Sequence, residues 1–220
     1  MLESNLFMDE MHKATTQGLE RLFRKYYFHC TAANEDSLFD LITSIHSVND
    51  KIKKSHCVDF FSHNGFIVVK ALRNLFHHST ELINKMVVLN RTENVVFASD
   101  LMHLCLINRN IVDAAVAALP SKFQETEREI VNEELLWYGE IADINPLIFN
   151  VMVYIFEMAR SEQIVLNGSE YVIFAESYDL EESQGYSHYI DGKIASHAGD
   201  ASKIIALIQD AYNAALLSNR

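Results

Sequence analysis

The chain has 220 residues, 49% of them hydrophobic and 22% charged, enough for one domain with a sizeable core or one domain with an appendage. Two prolines and seven glycines are too few turn residues for a loop-rich or all-β fold. The formal net charge of −12 argues against broad, non-specific binding of nucleic acid.

The first segment, residues 2–30, has few helix breakers and reads as one long helix. Asn34 is the expected N-cap of a second, in which Leu38, Leu41, Ile42 and Ile45 recur at helical spacing. That helix closes on Lys51-Ile52-Lys53-Lys54, where cations suit the negative end of the helix dipole. A third helix is expected over 57–89, with a break near Asn64-Gly65. Thr92 is the expected start of a fourth, ending before Pro120, and Ser121-x-x-Gln124 reads as the capping box of a fifth. Asn145-Pro146 supplies an N-cap and first helical residue for a sixth, through about Arg160.

Beyond this point the pattern changes. Gln163–Leu166, Asn167-Gly168 and Tyr171–Ala175 read as a β-hairpin, and Gly185–Ile190, Asp191-Gly192 and Lys193–Ser196 as a second. Asp200 then caps a terminal amphipathic helix carrying Ile204, Ile205, Leu207, Ile208, Ala211 and Ala215. The expected fold is mainly α: an up-and-down helical bundle over 1–160 and a small hairpin-containing appendage with the terminal helix over 161–220, packed on the bundle.

No apolar run reaches the roughly 18 residues that span a bilayer, so no membrane is expected. The opening MLESNLFMDEMHK lacks the basic start and apolar stretch of a signal peptide, which makes the cytoplasm the expected location. Cys30, Cys57 and Cys105 are odd in number, far apart and without a CxxC, and read as reduced thiols of a helical core.

Charge is unevenly spread. Residues 121–220 hold 6 Lys/Arg against 17 Asp/Glu, whereas 1–120 hold 12 against 13. The window 51–91 is locally basic, with Lys51, Lys53, Lys54, Lys70, Arg73, Lys85 and Arg91 against Asp59 and Glu81, and it contains four histidines. A polyanion could dock there despite the acidic whole.

Within that window lies Arg73-Asn74-Leu75-Phe76-His77-His78. At 100° per residue, Arg73 and His77 lie about 40° apart around a helix, as do Asn74 and His78, whereas Arg73 and His78 are about 140° apart. Arginine offers a permanent charge and a forked donor set matched to phosphate oxygens. Histidine titrates near neutrality and can move a proton. Together they could cleave RNA without metal: histidine takes the ribose 2′-hydroxyl proton, arginine stabilises charge growing on the phosphate, and asparagine holds either partner. DNA lacks that hydroxyl.

Arg73, Asn74 and His78 resemble the HEPN superfamily motif, an arginine, then four to six residues, then a histidine, often with Asn, Asp or His directly after the arginine. The resemblance implies an up-and-down bundle that homodimerises through the motif helix. It also implies a composite, metal-independent endoribonuclease site with no cofactor, in toxin–antitoxin, phage-defence or RNA-processing systems. Arg73, Asn74 and His78 would then be catalytic, with His77, Lys70 and Lys54 as neighbours that bind RNA. An antitoxin or other regulatory protein is an implied partner. Some HEPN toxins carry a tyrosine two residues after the histidine, where this chain has Thr80.

The alternative is a catalytically inactive helical module that binds a protein or nucleotide. A metal centre is not expected, because no Glu-x-x-His or His-x-x-x-His occurs and His77-x-x-x-Glu81 stands alone. A Cys57–histidine nucleophile has no supporting signature.

Overall fold

The structure, a computed structural model, describes residues 2–34, 36–78, 84–89, 97–101 and 103–217; for residues 2–6, 78 and 84 it describes the backbone alone. The chain is mainly α, 70% helical, with eight α-helices and a small antiparallel sheet among the described residues. No described helix is long and apolar enough to cross a membrane.

Helices α1 (Leu2–Ala32) and α2 (Ser37–His56) form the largest helix–helix contact. Leu19, Leu22 and Phe23 of α1 meet a fully buried stripe of α2 that includes Leu38, Leu41, Ile42, Ile45 and Ile52. The turn between them differs from expectation by two residues. Asp36 precedes the helix, while Asn34 accepts the Asp36 N–H at Oδ1 (3.0 Å). The Ser37 hydroxyl binds both the Asn34 carbonyl (2.9 Å) and buried His29 Nδ1 (2.9 Å). At its far end α2 stops at Cys57, in the left-handed region at φ 59°, after Lys53, Lys54 and His56 in the last turn.

Helix α3 (Asn64–His78) begins at the expected break. A Cβ on Gly65 would lie 2.8 Å from Val151, so glycine allows α3 to approach the helix behind it. The expected run to 89 is wrong, because Asn84–Val87 is strand β1; Leu82 and Ile83, also assigned to that helix, lie outside the described residues. The expected fourth helix is also corrected. Its start, Thr92, lies outside the described residues; strands β2 (Phe97–Ala98) and β3 (Leu104–Asn108) follow, and only α4 (Arg109–Ala117) is helical. Asn108 ends the strand and caps α4, accepting the Asn110 N–H at 2.9 Å.

Helix α5 (Ser121–Glu134) starts where expected, but Gln124 does not close a capping box. Its amide instead donates to the carbonyls of Ala117 (3.1 Å) and Leu119 (2.7 Å), satisfying the end of α4. Strands β4 (Leu136–Tyr138) and β5 (Ile141–Asp143) form a tight hairpin around Gly139, at φ +66°. Helix α6 (Asn145–Ser161) follows, with Pro146 in its first turn.

The four-stranded sheet has order β1-β3-β5-β4, antiparallel throughout. Alternation divides it between two cores. Cys105, Ile107 and Ala142 enter the main helical core, whereas Leu104, Leu106, Tyr138 and Ile141 face the other way. The second face is covered by Ile204, Ile208 and Tyr212 of the terminal helix α8 (Ala201–Leu217), which starts after the single 3-10 turn Ala198–Asp200. Buried Asp143 joins the layers: its Oδ1 accepts N–H groups from Cys105 of β3 (2.8 Å) and Asn145 of α6 (3.0 Å).

Neither expected C-terminal hairpin forms as read. The segment assigned to the first contains the start of helix α7 (Ser169–Gln184), with Gly168 as N-cap. Tyr171, Phe174, Ala175 and Tyr178, spaced three and four apart, pack on the core, and Phe156 and Phe23 lie against their rings. Of the second, only Ala195–Ser196 is a strand, β6, and it pairs with β2 in a separate two-stranded sheet.

Residues 186–194 instead form an extended strap across α6. Asn150 of α6 donates to the Ile190 carbonyl (2.9 Å) and accepts the Ile190 N–H (3.0 Å), as a neighbouring strand would. The Tyr189 hydroxyl donates to Glu157 (2.7 Å), which also accepts from Tyr178 of α7 (2.9 Å). At Gly192, φ +65°, a Cβ would collide with the Pro146 ring. Gly192→Ala should therefore cost about 2–4 kcal/mol in urea unfolding, from left-handed strain plus overpacking. Tryptic cleavage at Lys193 should accelerate in step.

Candidate functional site

Helix α3 is amphipathic by burial. Phe66, Val68, Val69, Ala71, Leu72 and Leu75 are in the core. Ile67, Lys70, Arg73, Asn74 and His77, three or four apart, form a partly or fully open stripe. The expected site residues Lys70, Arg73, Asn74 and His77 thus fall on one helix face. His78 is the last residue of α3; its side chain lies outside the described residues, as does Thr80.

Arg73 and Asn74 are joined directly, Nη1 donating to Asn74 Oδ1 at 3.2 Å. Arg73 Nε is buried and has no acceptor among the described residues. Among the described residues no carboxylate forms an ion pair with this arginine, whereas Arg109, Arg128 and Arg160 each have one. The guanidinium therefore retains donor capacity for an external anion. One turn earlier, Lys70 Nζ stands 5.0 Å from the centre of the Phe61 ring, against which Lys53 also rests at 5.8 Å. Lys53 is paired with Asp59 at 3.0 Å.

A residue that sequence reasoning missed belongs to this neighbourhood. His46 of α2 lies in the fields of Arg73 and Lys70. Its ring is stacked 6.3 Å from Phe66, and its Nδ1 is 3.5 Å from Asp50. Burial pushes its pKa down; Asp50 opposes that shift, and the positive charges of Arg73 and Lys70 add to it. The ring therefore takes up a proton less readily than an unperturbed imidazole. No local pattern announces it, because it comes from a different helix.

Lys54 is not brought into this group. It is exposed in the last turn of α2, near the end from which α3 sets out, and its charge is felt by Lys51 rather than by His46. Cys57 is exposed beside His56, whose Nδ1 is occupied by Ser55 Oγ at 2.6 Å and whose ring meets His12 edge-on at 4.6 Å. That arrangement makes no nucleophile–base pair. Among the described residues no three His, Cys, Asp or Glu side chains are gathered as a metal site.

The stripe can hold a phosphate-like anion through Arg73 and Lys70, with the Asn74 amide beside them. No family model, curated protein or solved structure matches the chain.

Proposed function

We propose that the chain is a metal-independent endoribonuclease of the HEPN type, acting in the cytoplasm as a homodimer through α3, in a toxin–antitoxin or phage-defence setting. The observation that carries this reading is Arg73: half-buried on an open helical stripe, fixed by Asn74 and without a carboxylate partner among the described residues. An arginine held in this way is suited to phosphate and to charge that grows on phosphorus oxygens. In this scheme Arg73 binds the scissile phosphate, Asn74 orients the guanidinium, and His78 removes the 2′-hydroxyl proton. The 2′-oxygen then attacks phosphorus as the P–O5′ bond breaks and the 5′-oxygen takes a proton from water, which yields a 2′,3′-cyclic phosphate and a 5′-hydroxyl. Lys70 and His77 extend the anion path along the helix. Two copies of α3 would bring an arginine and a histidine from different helices to one cleft.

Single-stranded RNA incubated with the purified chain in EDTA should be cleaved to 2′,3′-cyclic phosphate ends, identified by mass spectrometry, while DNA of the same sequence stays intact. Products ending in a 3′-hydroxyl, or cleavage abolished by the chelator, would reject the mechanism. RNA retention without cleavage would make the chain a binding module instead.

A further inference from the structure

A second feature, independent of the α3 stripe, lies between α1, α6 and α7. It is an apolar groove of about 220 Å³ walled by Phe23, Tyr26 and Tyr27 of α1, Val153 of α6, and Ile173 and Phe174 of α7. Tyr27 and Ile173 remain 43% and 49% exposed, although both are large and apolar. Among the described residues, the charged side chains lining the groove are Glu170 and Glu181, one near each end of its α7 wall, and Glu181 also holds His188 Nδ1 at 3.1 Å. They are separated by three helical turns, about 16 Å at 1.5 Å per residue. Helix α7 carries five carboxylates and no lysine or arginine.

We infer that this groove is a docking site for a basic amphipathic helix of a partner protein. Three observations select that occupant. The trough lies between helices whose wall residues recur at three- and four-residue spacing, the relief into which the ridge of another helix packs. Its acidic ends call for Lys or Arg about eleven residues apart on the incoming helix, with apolar anchors between them. The small Ser177 lies midway along the α7 wall and leaves room for an inserted side chain. An anionic membrane surface would be repelled by the same carboxylates. A compact small molecule could engage one end of the trough but not both.

The test is a fluorescence-anisotropy titration with a designed helical peptide of about 14 residues, leucine on one face and lysine at both ends. A scrambled peptide of the same composition and a charge-reversed peptide with glutamate for lysine serve as controls. The designed peptide should bind with micromolar Kd, and both controls should bind at least about tenfold more weakly. Ile173→Lys, at an exposed position that leaves the core intact, should abolish binding. Glu170→Lys combined with Glu181→Gln, which keeps an acceptor for His188, should weaken the lysine peptide and strengthen the glutamate peptide. Unchanged affinity in Ile173→Lys would place the peptide elsewhere on the acidic surface and overturn the proposal. Equal binding of the scrambled peptide would reduce the interaction to charge attraction and also overturn it. Absence of peptide binding up to about 1 mM would overturn it as well. A thermal shift by dodecyltrimethylammonium alone would then assign the groove to small amphiphilic cations.

Discussion

Arg73→Ala is expected to lower RNA cleavage by about 10²–10³-fold in kcat/KM, the scale on which loss of one preorganised donor to a developing oxyanion is felt. Arg73→Lys should recover only part of this, because a lysine keeps the charge but not the fork. Stability should hardly change. The Arg73 side chain is half-exposed, its one hydrogen bond goes to a neighbouring side chain, and its buried Nε satisfies no acceptor. Removing it relieves an unsatisfied donor and costs some packing of its stem. His78→Ala should cause a comparable loss of rate. Unaltered cleavage in both alanine variants, with an unaltered melting temperature, would remove the α3 stripe from the chemistry. His46→Gln is a separate probe. It removes titration while keeping polarity, so a change in the pH–rate profile would assign His46 a part in the proton balance.

The second large effect concerns stability and pH. Burial raises the Asp143 carboxyl from its ordinary range to about 7, against the opposing pull of the Asn145 and Cys105 N–H groups. Its Oδ2 is buried without a hydrogen-bond partner among the described residues. An unfolded aspartate titrates near about 3.9, so between about pH 4 and pH 7 the folded chain holds a proton that the unfolded chain has released. Folding is therefore favoured on the acid side of that window, and this contribution is lost as pH rises through about 7. The difference between an unfolded carboxyl near about 3.9 and the folded one at about 7 corresponds to about 4 kcal/mol. Asp143→Asn keeps an oxygen for the two N–H groups and removes the ionisation. Relative to the parent chain, its unfolding free energy should rise by about 4 kcal/mol between pH 4 and pH 8, and any cost of an orphaned amide N–H lowers the variant equally at both pH values. Identical pH slopes for the two chains would show that Asp143 ionises without penalty. Asp143→Ala leaves both backbone donors unpaired and should destabilise at every pH, by about 3–5 kcal/mol.

The helices with strong three-and-four periodicity were legible from sequence. The α2 stripe follows the local rule, and α5 and α6 begin where the sequence places them, although Gln124 closes no capping box and Ile144, not Asn145, precedes α6. The strands were not legible, for reasons visible in their burial. Leu104–Asn108 is buried on both faces, so it shows no alternation and resembles a helix segment. Leu136–Tyr138 and Ile141–Asp143 are three residues each, too short to show a period. In α7 the aromatic and β-branched run Tyr171-Val172-Ile173-Phe174 favoured a strand, yet its packing partners Phe23 and Phe156 favour a helix. The same division holds for the candidate site. Arg73 and Asn74 are adjacent, and their pairing is a local matter. His46 comes under the charge of Arg73 and Lys70 only because α2 packs on α3, a long-range fact that no local spacing encodes.

The two-sided burial of the sheet has a consequence for the order in which the molecule is completed. Its helical face can be covered by segments within residues 1–161, but its other face waits for α8, the last helix of the described chain. Until residues 201–217 leave the ribosome, Leu104, Leu106, Tyr138 and Ile141 remain a bare apolar plane, with the β1 and β4 edges on either side. A nascent chain in that state is a target for chaperones and for pairing with its own copies. Emergence of residues 201–217, rather than assembly of the helical body, is then the step that ends its exposure to aggregation.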